Sequence, residues 1–184
     1  MLRALLRRSI DAMEKKYAYD AGYMREVLAV SPWTFLKFGL ITTLGRGRRA
    51  PAEATAAAGL VGTLAEDCGP CTQIGVDIAI EHGVSPIVVR AILAGDEAAM
   101  GEAAALAWRF ARASLARDMQ TCDPLREDIV RRWGQSGLVD ISMALTTARM
   151  YPTLKYAMGH GQTCSRVVVA GEPAAFTRPF DLAA

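Results

Sequence analysis

The stretch ATAAAGLVGTLAEDCGPCTQIG, residues 54–75, decides the fold class. Its first part is rich in alanine, the strongest helix former, and poor in the β-branched and aromatic residues that fill strands. A helix is therefore expected from about Pro51 to Ala65, with small residues that let neighbouring helices come close. The second part opens another helix. Gly69 and Pro70 lie between Cys68 and Cys71, and the apolar run that follows continues to about Glu81, where "HGVSP" stops it and starts the next.

CGPC also occurs in thioredoxins, which place it directly after a hydrophobic β-strand and usually a tryptophan. Here the preceding segment is helical in composition, and Asp67 stands where that tryptophan would be. A strand at this place contradicts the propensity of its own residues.

Outward from this stretch, apolar residues recur at three and four positions rather than two, so the chain reads as all-α. Helices are expected over about Leu2–Lys16 and Ala21–Val30, and from Trp33 to the "GRGRRAP" loop. "SPIVVRAILAG" reads as a short helix closed by Gly95, and "DEAAMGEAAALAWRFARASLAR" as a long amphipathic one. A further helix is expected at Asp123-Pro124, and another over "SGLVDISMALTTARMYPTLKYAMG" with a kink at Pro152. "SRVVVAG" is the one β-branched run, extended without needing a sheet. The 184 residues suit a single domain, 1–184, with an N-terminal helical extension (1–30), a helical core (31–160) and an irregular tail (161–184) that wraps over the surface or a neighbour.

Hydrophobic residues make up 52% and charged ones 22%, a globular composition, and the net charge of +2 is too small to imply nucleic acid. The basic start lacks the apolar core of a signal peptide, so a cytoplasmic location is expected. Leu2, Leu5, Leu6, Ile10 and Met13 share one stripe opposite Arg3, Arg7 and Arg8. Docking on the protein's own core or a sister subunit is the expected use of that stripe, rather than membrane contact.

In an unsecreted chain a close cysteine pair points to catalysis or metal before a structural staple. A helix opening at Gly69-Pro70 leaves unpaired N–H groups near both sulfurs, which favours thiolate, the reactive form. Two intervening residues also let the sulfurs meet. A redox dithiol is the leading reading of the pair. Zinc needs two more ligands, and Cys122, Cys164, His82 and His160 form no second close pair, so no metal or cofactor is expected. Two inert buried thiols, or a regulatory disulfide, stay open.

An all-helical chain with Cys-X-X-Cys opening a central helix resembles the alkylhydroperoxidase-D and carboxymuconolactone-decarboxylase-like family. The likeness runs from Ser31-Pro32 to "GHG" near His160, through "SPWTFLKF", the cysteine helix and "GLVDISMALTTARMYPTLKYAMG". It implies a compact helical bundle that assembles as a homo-oligomer and an antioxidant oxidoreductase, either a weak peroxidase or a disulfide oxidoreductase. Its partners would be a peroxide or disulfide substrate and a dithiol reductant. By the resemblance Cys71 attacks the peroxide and Cys68 resolves; the physics of a helix terminus equally permits Cys68 to attack. The family's histidine four residues after the second cysteine is Gly75 here, and its glutamate a dozen residues before the first is Ala56. Glu66 and Glu53 are the candidate substitute relays, with Gln73 close by. Without a relay, a slow peroxidase, disulfide exchange or a non-catalytic oligomer on the same scaffold is expected.

Of the remaining conspicuous residues, His82 reads as a helix C-terminus and His160 as a loop residue. Trp33, Trp108 and Trp133 read as core or interface anchors. Glu127–Arg131 and Asp128–Arg132 read as surface pairs.

Overall fold

The computed structural model describes residues 2–44, 47–161 and 166–179. These residues form an all-α structure, 74% helical. The helices among them are α1 (Leu2–Tyr17), α2 (Gly22–Val30), α3 (Pro32–Leu44), α4 (Ala52–Ala65), α5 (Gly69–Glu81), α6 (Pro86–Ala94), α7 (Glu102–Ala116) and α8 (Met119–Ala157). Two short strands follow, β1 (Val167–Val169) and β2 (Glu172–Ala174).

The alanine-rich helix α4 is central, packed by α5, α6, α7 and α8. Its small residues allow this. A Cβ on Gly62 would stand 2.9 Å from the backbone oxygen of Leu145 on α8, a distance real Cβ atoms do not adopt. Around α4 gathers the main core, including Leu60, Val61, Leu64, Ile92, Leu106, Trp108, Ile129 and Ile141. A second cluster, Ile10, Tyr19, Tyr23, Met24 and Leu28, joins α1 to α2 and takes in Phe35 of α3 and Tyr151 and Leu154 of α8. Ile10 is buried with Leu6 and Met13 against it, so part of the α1 stripe docks on the protein's own core.

Several boundaries differ from expectation for local reasons. α7 starts at Glu102 rather than at Asp96, because Gly101 at φ 79° breaks the run. α8 starts at Met119, not at Asp123: the Asp118 side chain accepts from the Thr121 N–H at 3.2 Å, while Asp123 pairs with Arg126. The break in this long helix is at Gly134 (φ 70°, ψ 177°), and the helix runs on through Pro152 to Ala157. Arg131 joins Arg132 on Asp128 instead of pairing with Glu127. Trp108 is core and Trp133 packs against it, but Trp33 is exposed.

"VVVAGEPA" is a β-hairpin. Ala170 and Gly171 both have positive φ (51° and 84°), the conformation of a tight two-residue turn, and Val167 pairs with Ala174. Val167 and Val169 are fully buried in the main core, so this part of the tail belongs to the protein's own packing.

Candidate functional site

Cys68 is the N-cap of α5 and Cys71 lies in its first turn. The two are joined by a disulfide with a Cα–Cα separation of 5.3 Å. Asp67 makes the turn into the motif at φ 49°, a left-handed conformation that Asp tolerates better than most residues. Pro70 fits the first turn, where its missing N–H is not needed. Thr72 closes the first loop of the helix, donating from both its N–H (2.9 Å) and its hydroxyl (3.0 Å) to the Cys68 carbonyl. The Cys68 side chain makes no capping hydrogen bond, and the positive end of the helix dipole lies at this terminus. Cys68 is 0% exposed and Cys71 8%, so a reagent arriving from solvent meets Cys71 first.

The turn is held from two distant segments. Glu66 accepts from Arg149 Nε at 2.6 Å and from the Thr153 hydroxyl at 3.4 Å. The Tyr156 hydroxyl donates to the Asp67 carbonyl at 2.9 Å, and Arg178 in the tail donates to the Asp67 carboxylate through Nε (3.0 Å) and Nη2 (2.9 Å). Arg149, Thr153, Tyr156 and Arg178 were not singled out in the sequence. The first three lie at i, i+4 and i+7, a polar stripe on one helix face that was the available signal. Arg178 gave no signal.

The substitute relays are placed as follows. Glu66 is beside the motif, with its carboxylate turned to α8. Glu53 is corrected: it lies in the first turn of α4, about 18 Å along the helix from Ala65, and does not reach the sulfurs of its own chain. Gln73 holds the tail. Its Oε1 accepts from the Val168 N–H at 2.8 Å and its Nε2 donates to the Val168 carbonyl at 2.9 Å and to Asp77 at 3.0 Å. Burial raises the Asp77 carboxyl above its ordinary value, and the Gln73 bond opposes that rise. His160 bonds Glu26 at 2.8 Å, His82 caps α5, and Cys122 is a buried free thiol. Cys164 lies outside the described residues. Among the described residues no group of three or more His, Cys, Asp or Glu is placed to hold a metal ion.

Gly75 has a packing reason. A Cβ there would stand 3.1 Å from Cδ2 of the buried Leu60, so a side chain at this position requires the Leu60 tip to shift by a few tenths of an ångström. Ala56 likewise packs against the main core.

No family model matches the chain, and neither a curated protein nor a solved structure matches it at a significant level. No described helix is long and apolar enough to cross a membrane.

Proposed function

We propose that the protein is a thiol-dependent antioxidant oxidoreductase, a slow peroxidase whose working group is the Cys68/Cys71 dithiol. The observation that carries this reading is the bonded pair at the N-terminus of α5, with Cys68 fully buried and Cys71 nearly so. Burial of both sulfurs favours a small oxidant such as a hydroperoxide over a protein disulfide.

In the reduced protein the Cys71 thiolate attacks the distal oxygen of ROOH. The O–O bond breaks, the sulfur becomes a sulfenic acid and RO⁻ leaves to be protonated by water. Cys68 then attacks that sulfur, the S–O bond breaks, and water leaves as the disulfide forms. A small dithiol restores the pair by two exchange steps and is itself oxidised to a disulfide. Among the described residues, the two polar side chains nearest the motif are occupied, Glu66 by Arg149 and Gln73 by Val168, and leaving-group protonation falls to water. The rate is accordingly expected to lack the 10²–10⁴-fold that general acid–base help supplies. The same reading carries a homo-oligomer working in a reducing compartment such as the cytoplasm.

The test is the oxidation rate of the reduced protein by hydrogen peroxide and then by an organic hydroperoxide, with the disulfide followed by mass spectrometry. The expected result is oxidation faster than that of a free thiol, lost in Cys71→Ser and arrested at a trappable sulfenic acid in Cys68→Ser. A rate no greater than a free thiol's, or unchanged turnover in Cys71→Ser, overturns the reading. The engagement of Glu66, Asp67 and Gln73 by other residues favours a second reading, a non-catalytic helical oligomer. A thiol pKa near 8.5 at both cysteines would support it, and one depressed toward 6 would not.

A further inference from the structure

We propose that the α1–α3 unit seats on an anionic membrane surface through α3 and the groove between α1 and α3. This inference is independent of the dithiol reading. α3 is PWTFLKFGLITTL, apolar around most of its circumference, yet among its described side chains no apolar one is fully buried, and only Phe35 packs, half-buried, against a core cluster. A helix of that composition ordinarily lies inside a protein core or a lipid phase. Here Trp33 is 65% exposed, Ile41 47% and Leu40 43%, and Leu5 on α1 is 65%. Beside the two helices, with α2 and α8 closing it from behind, opens an apolar cavity of about 350 Å³ whose lining includes Leu6, Ile10, Phe35, Leu36 and Leu40.

Charge identifies the occupant. Residues 1–49 carry ten basic and four acidic side chains, whereas the remaining residues carry eleven and fifteen. The acids of this unit are already used: Asp11 and Glu14 pair with Arg25, Glu26 bonds His160, and Asp20 accepts from the Gly22 N–H. No acidic residue occurs between Glu26 and Glu53. Arg3, Arg7, Arg8, Lys37 and Arg48 are exposed, and Arg7 and Lys37 adjoin the groove residues Leu6 and Leu36. A second copy meeting this face symmetrically would bring the two basic sets together. An apolar helix carrying an exposed tryptophan, with Lys37 and the following arginines and no acid in its own stretch of sequence, suits anionic headgroups above an acyl layer.

The test is co-sedimentation of the full chain with phosphatidylcholine vesicles, with and without about 30 mol% phosphatidylserine. The expected result is binding to the anionic vesicles alone, released by about 0.5 M salt and accompanied by a blue shift of Trp33 emission that is absent in Trp33→Phe. Arg3→Glu/Arg7→Glu should lower the partition at least roughly 30-fold, from about fivefold per basic side chain. Leu40→Asp/Ile41→Asp should abolish it with unchanged helical circular dichroism. If that variant unfolds, the arginine variant decides. Absence of binding at low salt overturns the proposal. So does a salt-resistant dimer that Ile41→Asp dissociates, since the face would then be a contact between copies.

Discussion

Lys155 is a charged side chain only 2% exposed to solvent. Its Nζ is buried with no hydrogen-bond partner among the described residues, and lies 4.9 Å from the Tyr19 ring centre and 6.0 Å from that of Tyr23. Desolvation pushes its pKa below the ordinary 10.5, and the Asp20 carboxylate opposes that shift. Surrendering the proton at pH 7 costs at most about 5 kcal/mol, at about 1.36 kcal/mol for each unit below 10.5. Keeping it buried leaves a desolvation penalty that two ring faces offset by about 0.5–2 kcal/mol. Replacing Lys155 by Met preserves the length and volume of the side chain and removes the charge. Lys155→Met is therefore expected to stabilise the protein by about 1–3 kcal/mol near pH 7.

The pH dependence fixes the sign. A lysine whose folded pKa lies below its unfolded one binds fewer protons when folded, so stability rises with pH between the lowered value and 10.5. Tyr19 and Tyr23 act the other way: burial raises both phenols, and the stability this provides is present below about 10 and lost above it. The difference between wild type and Lys155→Met cancels the tyrosines. Urea denaturation of both proteins from pH 7 to 10 should show the gap closing as pH rises. A gap of zero, or one that widens with pH, refutes the reasoning.

Gly62→Ala should lose about 1–3 kcal/mol despite alanine's better helix propensity, because the new Cβ meets the Leu145 carbonyl; Gly39→Ala, with nothing within 4 Å, should gain about 0.5–1 kcal/mol, both read by urea midpoints. Gln73→Ala removes both bonds to Val168 and should cost about 1–3 kcal/mol, with amide exchange of the hairpin rising before that of α4. Gly75→His should destabilise the protein through Leu60 and leave the peroxide rate of the reduced dithiol unchanged within about threefold. Faster oxidation by tenfold or more in that variant would mean that the α4–α5 contact gives way and that the ring finds the sulfur.

The helices were legible because local propensity and tertiary packing agree in them. The alanine run of α4 is buried on nearly all sides, the N-cap and Pro70 of α5 act where the chain starts a helix, and Gly95 closes α6 in the left-handed conformation. What the sequence hid were outcomes of competition. Asp118 and Asp123 are both suitable caps, and nothing local says that the earlier one wins. The hairpin was unreadable as a sheet because its turn is Ala-Gly rather than Asn-Gly, and because its third hydrogen-bonding partner is the Gln73 side chain on a helix. Trp33 shows a different limit: it is exposed and so not a core anchor, and an apolar residue announces the need for cover, not whether its own chain supplies it.

The cysteine pair was plain in the sequence, but its chemistry depends on residues far from it. Arg149 and Thr153 occupy Glu66, while Tyr156 and Arg178 occupy the backbone and side chain of Asp67. Each interaction fixes the turn that delivers Cys68 to the helix end, and each removes a polar group from proton transfer. Breaking one separates the two effects. Arg149→Ala frees the Glu66 carboxylate, 18% exposed at its side chain, to act as an acid or base, but loosens the turn. If positioning limits the rate, peroxide oxidation of the reduced protein, compared at one pH, slows in Arg149→Ala. If proton transfer limits it, oxidation accelerates and adding Glu66→Gln removes the gain, and the wild-type salt bridge is then the restraint that keeps this dithiol slow.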